Sequence, residues 1–157
     1  MIMAQRLLST LLFLAGFSLN AAAQERQWTL DASDEDAYLI FGVADSDDVG
    51  VSLWCPIRKG VVNIFVPETD AGVTPGQQVT MTLSVGVAGE TADIMARAEE
   101  NLEAGNPSAE GQIEAGHPIF SAMIKADRFH VKVSGQDYVF PLFDADLEGL
   151  LSLCRAM

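Results

Sequence analysis

The fold is decided by residues 49–66, which read Val-Gly-Val-Ser-Leu-Trp-Cys, then Pro-Ile-Arg-Lys-Gly, then Val-Val-Asn-Ile-Phe-Val. Two runs rich in β-branched and aromatic residues, with Pro and Gly between them, predict two strands joined by a tight connection. Side chains alternate between the faces of a strand, so Val51, Leu53 and Cys55 share one face of the first run. The rest of the chain is interpreted outward from this pair.

Trp54 and Phe65 lie on the less apolar face of the two predicted strands. Trp54 alternates with the apolar positions of the first run, and Phe65 lies with Asn63 in the second. Two interpretations follow. Another segment covers both rings, or they are exposed and form a contact patch, since exposed apolar patches mark interaction sites. We favour the interpretation in which another segment covers both rings. If they are exposed instead, Trp54 and Phe65 are the candidate contact patch.

Cys55 and Cys154 are the two cysteines of the chain. Two cysteines in an exported protein usually pair, and we predict a disulfide between them. Closing a loop of about a hundred residues stabilises a fold by roughly 4–5 kcal/mol in the chain-entropy model. A metal site normally needs three or four ligands, and a redox pair is more often Cys-x-x-Cys.

Residues 1–23, from Met1 to Ala23, have the order of a secretory signal peptide. Arg6 precedes an apolar run over residues 7–19, and small residues follow at 21–23. The alternative is an uncleaved anchor, although a membrane span needs about 20 apolar residues. We expect a protein of the periplasm, or one secreted from the cell, in which residues 24–157 form a single β-rich domain with no integral membrane segment.

The predicted domain is strongly acidic. Residues 24–157 carry all 22 acidic side chains and eight of the nine Lys and Arg residues, a formal net charge of −14. Such a surface repels nucleic acid and anionic lipid, and it attracts basic proteins. A basic protein is therefore the expected partner, and nucleic acid is not. Acidity that serves solubility alone is the other interpretation.

The remaining alternations complete a mainly β fold. Further strands are predicted near residues 37–43, 77–85, 111–115, 129–133 and 137–142, and residues 27–30 are either a first strand or an arm. Residues 91–103, from Thr91 to Glu103, fit either a helix, by the propensity of Ala, Met and Glu, or a strand, by the alternation of Ala and Ile. The strand is favoured. We expect about seven or eight strands in an antiparallel β-sandwich or flattened barrel.

Two short helices are predicted beside the strands. His117 and Pro118 open one near residues 117–126, because Pro is well placed in a first turn. The C-terminal helix carries an apolar stripe at helical spacing that includes Leu147, Leu150 and Cys154. Asp144 is the predicted N-cap. The disulfide would then fix this helix to the sheet.

Several features are spread over most of the predicted domain. They are Trp28, Tyr38 with Gly42, Cys55, Pro141 and Leu142 with Ala145, and Leu150 and Leu151 with Cys154. In these features the chain resembles a group of uncharacterised small exported proteins of Gram-negative bacteria that have two cysteines. The resemblance implies a β-rich exported domain and no activity.

No pattern of catalytic, metal-binding or cofactor-binding residues is recognised. The acidic run at Asp45 lacks the Glu that a calcium loop places at its twelfth position. His117 and His130 belong to no triad signature, and both cysteines are predicted to be bonded. We therefore predict a non-enzymatic protein with no catalytic residue, no bound metal and no cofactor.

The leading functional hypothesis is an exported interaction protein that binds or inhibits a basic protein, for example an immunity-type protein or a lysozyme inhibitor. Opposite charges would speed their encounter. A β-barrel carrier of a small molecule or lipid is one alternative, since a barrel interior can hold a ligand. An envelope structural subunit is another. The oligomeric state and the partner's identity do not follow from the sequence.

Overall fold

The computed structural model describes residues 25–70, 72–86 and 89–157. The predicted signal peptide, residues 1–23, lies outside these ranges. The described part contains nine strands and two helices. They are β1 Gln27–Ala32, β2 Asp36–Gly42, β3 Val49–Pro56, β4 Val61–Val66, β5 Gln78–Ser84, β6 Thr91–Glu99, β7 Ser108–Glu114, α1 Pro118–Met123, β8 Arg128–Val133, β9 Gln136–Pro141 and α2 Leu147–Cys154.

All nine strands belong to one curled, half-barrel sheet with the order β1-β2-β3-β4-β7-β6-β5-β8-β9. Every pair of neighbours is antiparallel. The predicted mainly β, antiparallel class is confirmed. The sheet has nine strands rather than seven or eight, because the N-terminal segment and the ambiguous segment after Thr91 are both strands.

Strand β6 resolves the ambiguity of residues 91–103. Its side chains alternate strictly between exposed and buried, and the buried ones are Ala92, Ile94, Ala96 and Ala98. Small side chains suit this tightly curled part of the sheet. At Gly111, in the neighbouring β7, an added Cβ would lie 3.3 Å from the Ala96 Cβ. Packing inside the curl therefore prevails over the helix propensity of the segment.

The concave face of the sheet holds the core, which both helices help to fill. The α1 residues Ile119, Phe120 and Met123 are buried, and so is the α2 stripe. The predicted disulfide is confirmed: Cys55 of β3 is bonded to Cys154 at the end of α2, and both residues are fully buried. Backbone bonds reinforce the junction, because the amide of Arg58 donates to the Leu153 carbonyl at 2.8 Å.

The two edge strands of the sheet, β1 and β9, are bridged by side chains. The Trp28 indole N–H donates to the Pro141 carbonyl at 2.6 Å. Its ring lies 5.2 Å from Phe41 and 6.4 Å from Phe129, measured between ring centroids. Pro141 has no N–H to offer a further strand. The aromatic side chains thus fill the opening of the half-barrel.

The helix starts agree only partly with prediction. The predicted start of α1 is confirmed, and His117 is its N-cap, since its Nδ1 accepts from the Ile119 amide at 3.1 Å. The predicted cap of α2, Asp144, is wrong. Asp146 is the N-cap and accepts from the Gly149 amide at 2.9 Å. Asp144 instead lies in the preceding turn with φ 60°, a conformation that Asp tolerates better than most residues.

Candidate binding surface

The connections of the antiparallel sheet lie at two opposite ends. One end, named here the capped end, carries α1, α2 and the β1–β2, β3–β4 and β5–β6 connections. The other, named the acidic end, consists of residues 43–48, 67–70 with 72–77, 100–107 and 134–135, from the β2–β3, β4–β5, β6–β7 and β8–β9 connections. This division follows from strand direction alone, because successive antiparallel strands leave the sheet at alternate ends.

The connections of the acidic end and the connections and helices of the capped end carry seven carboxylates each, but the basic residues among them are divided unequally. The acidic end has Asp45, Asp47, Asp48, Glu68, Asp70, Glu100 and Glu103, and none of its connections contains a Lys or Arg. The capped end has Asp34, Glu35, Glu90, Asp127, Asp144, Asp146 and Glu148, together with Arg58, Lys59, Lys125 and Arg155. Glu25 and Arg26 precede β1 and lie at the acidic end too, and the remaining charges lie on the strands.

Ion pairing removes little of this charge. Within the described ranges, one pair joins a carboxylate to an Arg or Lys, and it links Arg26, just before β1, to Asp48. Both side chains are about half exposed, so the pair is worth little to stability. The other six carboxylates of the acidic end therefore lack a basic partner within the described chain.

Hydrogen bonds tie the two longest connections of the acidic end together. The Thr69 hydroxyl donates to the Pro107 carbonyl at 2.7 Å, and the Thr69 amide donates to the same oxygen at 2.8 Å. Asn101 donates to the Pro67 carbonyl at 2.8 Å, and Asn106 donates to the Glu68 carboxylate at 2.8 Å. These two connections are therefore held together before any partner binds, which lowers the entropic cost of binding.

Tyr138 of β9 fixes these connections to the far side of the sheet. Its hydroxyl donates to the Glu68 carbonyl at 2.7 Å. Burial, and then the negative charges of Glu68 and Asp70, raise the pKa of the Tyr138 phenol above its ordinary value. The phenol stays neutral at physiological pH and can go on donating this hydrogen bond.

Trp54 and Phe65 lie on the convex, outer face of the sheet, as the alternation predicted. Both are half-buried, and the disulfide and α2 lie behind β3 on the other face. Tyr38 of β2 is directly opposite Trp54, with the two rings 17° from parallel and their centroids 5.7 Å apart. The sequence reasoning missed Tyr38, although its place between the buried Ala37 and Leu39 puts it on the outer face.

The Trp54 indole lies across the neighbouring strand instead of pointing away from the sheet. Its N–H donates to a carboxylate oxygen of Glu110 at 3.1 Å, and Glu110 belongs to β7, two strands away. Strands are spaced about 4.8 Å apart, so the ring must span β4 to reach it. Phe65 is opposite Glu110 in register. We name Tyr38, Trp54, Phe65 and Glu110 the aromatic platform.

A second polar group surrounds His130 on the outer face. Its Nδ1 lies 3.1 Å from a carboxylate oxygen of Asp137, and Ser84 is directly opposite His130 in register. Ser84 and His130 line a cleft of about 490 Å³ together with Arg128. A hydrolytic triad needs a hydrogen bond from the hydroxyl to the imidazole, and among the described side chains none joins Ser84 to His130. In the described residues His130 is therefore paired with Asp137 and not with Ser84.

The other sequence candidates have structural partners. His117 is engaged as the α1 cap. In the acidic turn, the Ser46 hydroxyl donates to the Val43 carbonyl at 2.9 Å and accepts from the Asp48 amide. Across the described ranges, no three His, Cys, Asp or Glu side chains converge in a geometry that could hold a metal ion.

Fold and surface together define a mainly β domain with one disulfide, one acidic end and an aromatic group on the outer face. The comparisons go no further: the chain matches no family model, no curated protein and no solved structure. Neither helix in the described part of the chain has the length and apolar character to span a membrane. The disulfide fits a location outside the cytosol.

Proposed function

We propose that this chain is an exported, non-enzymatic interaction protein, of the periplasm or of the extracellular medium, that binds a basic protein through its acidic end. The carrying observation is the unequal division of charge. Seven carboxylates and no Lys or Arg occupy the connections of one end, while the other end mixes both signs. Acidity that served solubility alone would not need this separation.

Charge of one sign on one surface steers an oppositely charged partner to that surface. Such steering raises association rates by one to three orders of magnitude and weakens as salt is added. The hydrogen bonds of Thr69, Asn101 and Tyr138 hold the acidic end in one arrangement. Binding therefore orders few additional groups, which favours affinity as well as rate.

A concrete form of the proposal is an inhibitor or immunity-type protein that blocks a basic enzyme such as a lysozyme. The domain is small, stapled by a disulfide and strongly acidic. The carrier and structural-subunit alternatives stay predictions. In the described residues the concave face is filled by core side chains and by both helices.

The test uses two matched variants. The acidic-end variant neutralises four side chains of the acidic end by the substitutions Asp45→Asn, Asp47→Asn, Glu100→Gln and Glu103→Gln. The capped-end variant makes the same charge change at the capped end by the substitutions Asp34→Asn, Glu35→Gln, Glu90→Gln and Glu148→Gln. None of these eight side chains accepts a hydrogen bond from another described residue.

The chain is expressed with its N-terminal segment intact, purified after export and used to capture envelope proteins, which are eluted by a salt gradient. We expect a basic protein that elutes at moderate salt, earlier from the acidic-end variant than from the capped-end variant. Equal elution from both variants contradicts the assignment to the acidic end. A lysozyme assay without inhibition at excess protein rejects the lysozyme form, and an intact N-terminus in the purified protein rejects the predicted cleavage.

A further inference from the structure

We propose that the aromatic platform anchors an arginine side chain of the basic partner, with the guanidinium stacked on the Trp54 indole and paired with the Glu110 carboxylate. This inference rests on the proposed function, because it names the group of the basic partner that is bound. It gives the basic partner a second contact site, on the outer face of the sheet, in addition to the acidic end.

The position of Trp54 supports this anchor. The indole crosses β4 with its N–H held by Glu110, and the Tyr38 ring lies nearly parallel to it, with 5.7 Å between the centroids. Tyr38 extends the aromatic surface on the β2 side and is 36 % exposed. Two nearly parallel rings of this kind offer a surface that matches the flat guanidinium group.

Charge complementarity selects the occupant. Aromatic faces attract cations, and Trp does so most strongly of the aromatic residues. The indole N–H uses one carboxylate oxygen of Glu110, and the other oxygen can accept from a guanidinium. On the far side, Asp31 of β1 is opposite Tyr38 in register and exposed. Carboxylates thus flank the two rings, an arrangement that favours a cation over a neutral or anionic ligand.

The platform also continues the acidic end. Phe65 is the last residue but one of β4, and Glu110 is the third residue of β7, so both lie beside the connections at residues 67–77 and 100–107. Trp54 and Tyr38 lie two residues from the capped-end bounds of β3 and β2, so a partner steered to the acidic end must also extend along the outer face to reach the rings. Binding energy at protein interfaces is concentrated in a few Trp, Tyr and Arg residues, and here Trp54 and Tyr38 would supply the aromatic half of such a contact.

One basic residue of the chain itself is close to the site. Arg97 of β6 is opposite Glu110 in register on the same face. Among the described side chains, Arg97 and Glu110 form no ion pair within 4 Å. Arg97→Gln removes the nearby positive charge and is expected to tighten arginine binding about twofold.

The experiment follows the two indole N–H signals in ¹H–¹⁵N spectra of the full chain, which has two Trp residues. Trp28→Phe assigns them. Three capped peptides serve as probes: tetra-arginine, tetra-lysine, and tetra-citrulline, which has the shape of arginine without its charge. We expect tetra-arginine to shift the Trp54 signal saturably, tetra-lysine to bind about threefold more weakly because it lacks the planar fork, and tetra-citrulline to leave the signal unchanged.

Glu110→Gln is the decisive variant, since the amide oxygen can still accept from the Trp54 indole while the charge is lost. It should weaken tetra-arginine binding about fivefold. Glu114→Gln is the matched control, because it makes the same change on the same face of β7 without contact to Trp54, and it should alter binding less than twofold.

The inference is overturned by equal binding to Glu110→Gln and Glu114→Gln, or by equal Trp54 responses to tetra-citrulline and tetra-arginine. If tetra-arginine shifts backbone amides of residues 43–48 and 100–107 and leaves Trp54 unchanged, the platform fails and the proposed function stands. If neither region responds, both fail.

Discussion

The two ends of the sheet carry similar numbers of carboxylates but differ in what covers them. At the capped end, α1, α2 and the disulfide close the concave face, and four basic side chains lie among the acids. At the acidic end, no helix is present in the described chain, and polar connections are held by hydrogen bonds to one another. One end is built from buried apolar contacts and the other from exposed charge.

This difference indicates a division of roles. Stability in a small domain comes mainly from buried apolar surface and cross-links, so it should be concentrated at the capped end. Exposed carboxylates contribute little to stability but create a field that a partner senses. Substitutions at the capped end should therefore change folding, and substitutions at the acidic end should change binding.

The disulfide should give the largest effect. Replacing both Cys55 and Cys154 by Ala should lower the free energy of unfolding by about 4–5 kcal/mol, because the bond closes a loop of 99 residues in the unfolded chain. Urea denaturation measures the loss. As a control, a reducing agent should destabilise the natural chain and leave the double variant unchanged. A loss below about 1 kcal/mol would show that α2 is held without the bond.

The apolar stripe of α2 comes next. Leu150 is fully buried, and Leu150→Ala should lower the free energy of unfolding by about 3 kcal/mol through lost burial and the cavity left behind. Ser152 is exposed on the opposite side of the same helix, so Ser152→Ala should change stability by less than about 0.5 kcal/mol. Similar losses for the two variants would contradict the packing of α2 on the sheet.

The corrected helix cap predicts a smaller effect at the same end. Asp146→Ala removes the acceptor of the Gly149 amide and should cost about 1 kcal/mol. Asp144→Gly should cost nothing, because Gly relieves the positive φ at that position. If Asp144→Gly proves the more destabilising variant, Asp144 is the cap after all.

Tyr138 links the acidic end to β9 and should show a comparable effect with a pH signature. Tyr138→Phe loses the hydrogen bond to Glu68 and should cost about 1 kcal/mol at neutral pH. The phenol has a raised pKa in the folded chain, so its contribution is full below pH 10 and is lost as the pH rises through that raised value. The stability of the natural chain should therefore fall above about pH 10.

This alkaline loss is checked by urea denaturation from pH 8 to pH 11, and Tyr138→Phe should show less of it. Tyr38→Phe is the control, since the Tyr38 hydroxyl has no hydrogen-bond partner in the described residues, and it should change stability at neutral pH by less than about 0.5 kcal/mol. An identical alkaline profile for the natural chain and Tyr138→Phe would contradict the assignment.

Much of the fold could be predicted from local pattern. The alternation around Cys55 and Trp54 predicted both faces of β3, and the stripe through Leu150 and Cys154 predicted the buried face of α2, because burial follows side-chain period. The disulfide could be predicted from the presence of two cysteines in a chain whose N-terminal residues predict export. The cap was missed because Asp144 and Asp146 are equally good N-cap residues, and the turn at Leu142–Ala145 chooses between them.

The candidate binding surface depends on the order of the strands in the sheet, which local sequence patterns do not reveal. The acidic end exists because four connections separated along the chain leave the sheet on one side, and that requires the direction of every strand. Trp54 reaches Glu110 because the neighbour of β4 in the sheet is β7 and not β5, the next strand in the sequence. The aromatic side chains could be placed on a face, but their carboxylate partner, 56 residues away, could not be named.

The smallest effect on stability, and the sharpest contrast between the ends, is expected from charge. Strands of six to nine residues separate the two ends by about 20–30 Å, more than the screening length of about 10 Å at 0.1 M salt. Neutralising Asp45, Asp47, Glu100 and Glu103 together should therefore relieve local repulsion and raise the free energy of unfolding by less than about 1 kcal/mol. The same variant should slow association with a basic partner at low salt several-fold, and the difference should vanish near 1 M salt. A loss of stability in this variant, or an equal slowing by the capped-end variant, would mean that the two ends do not divide folding from binding.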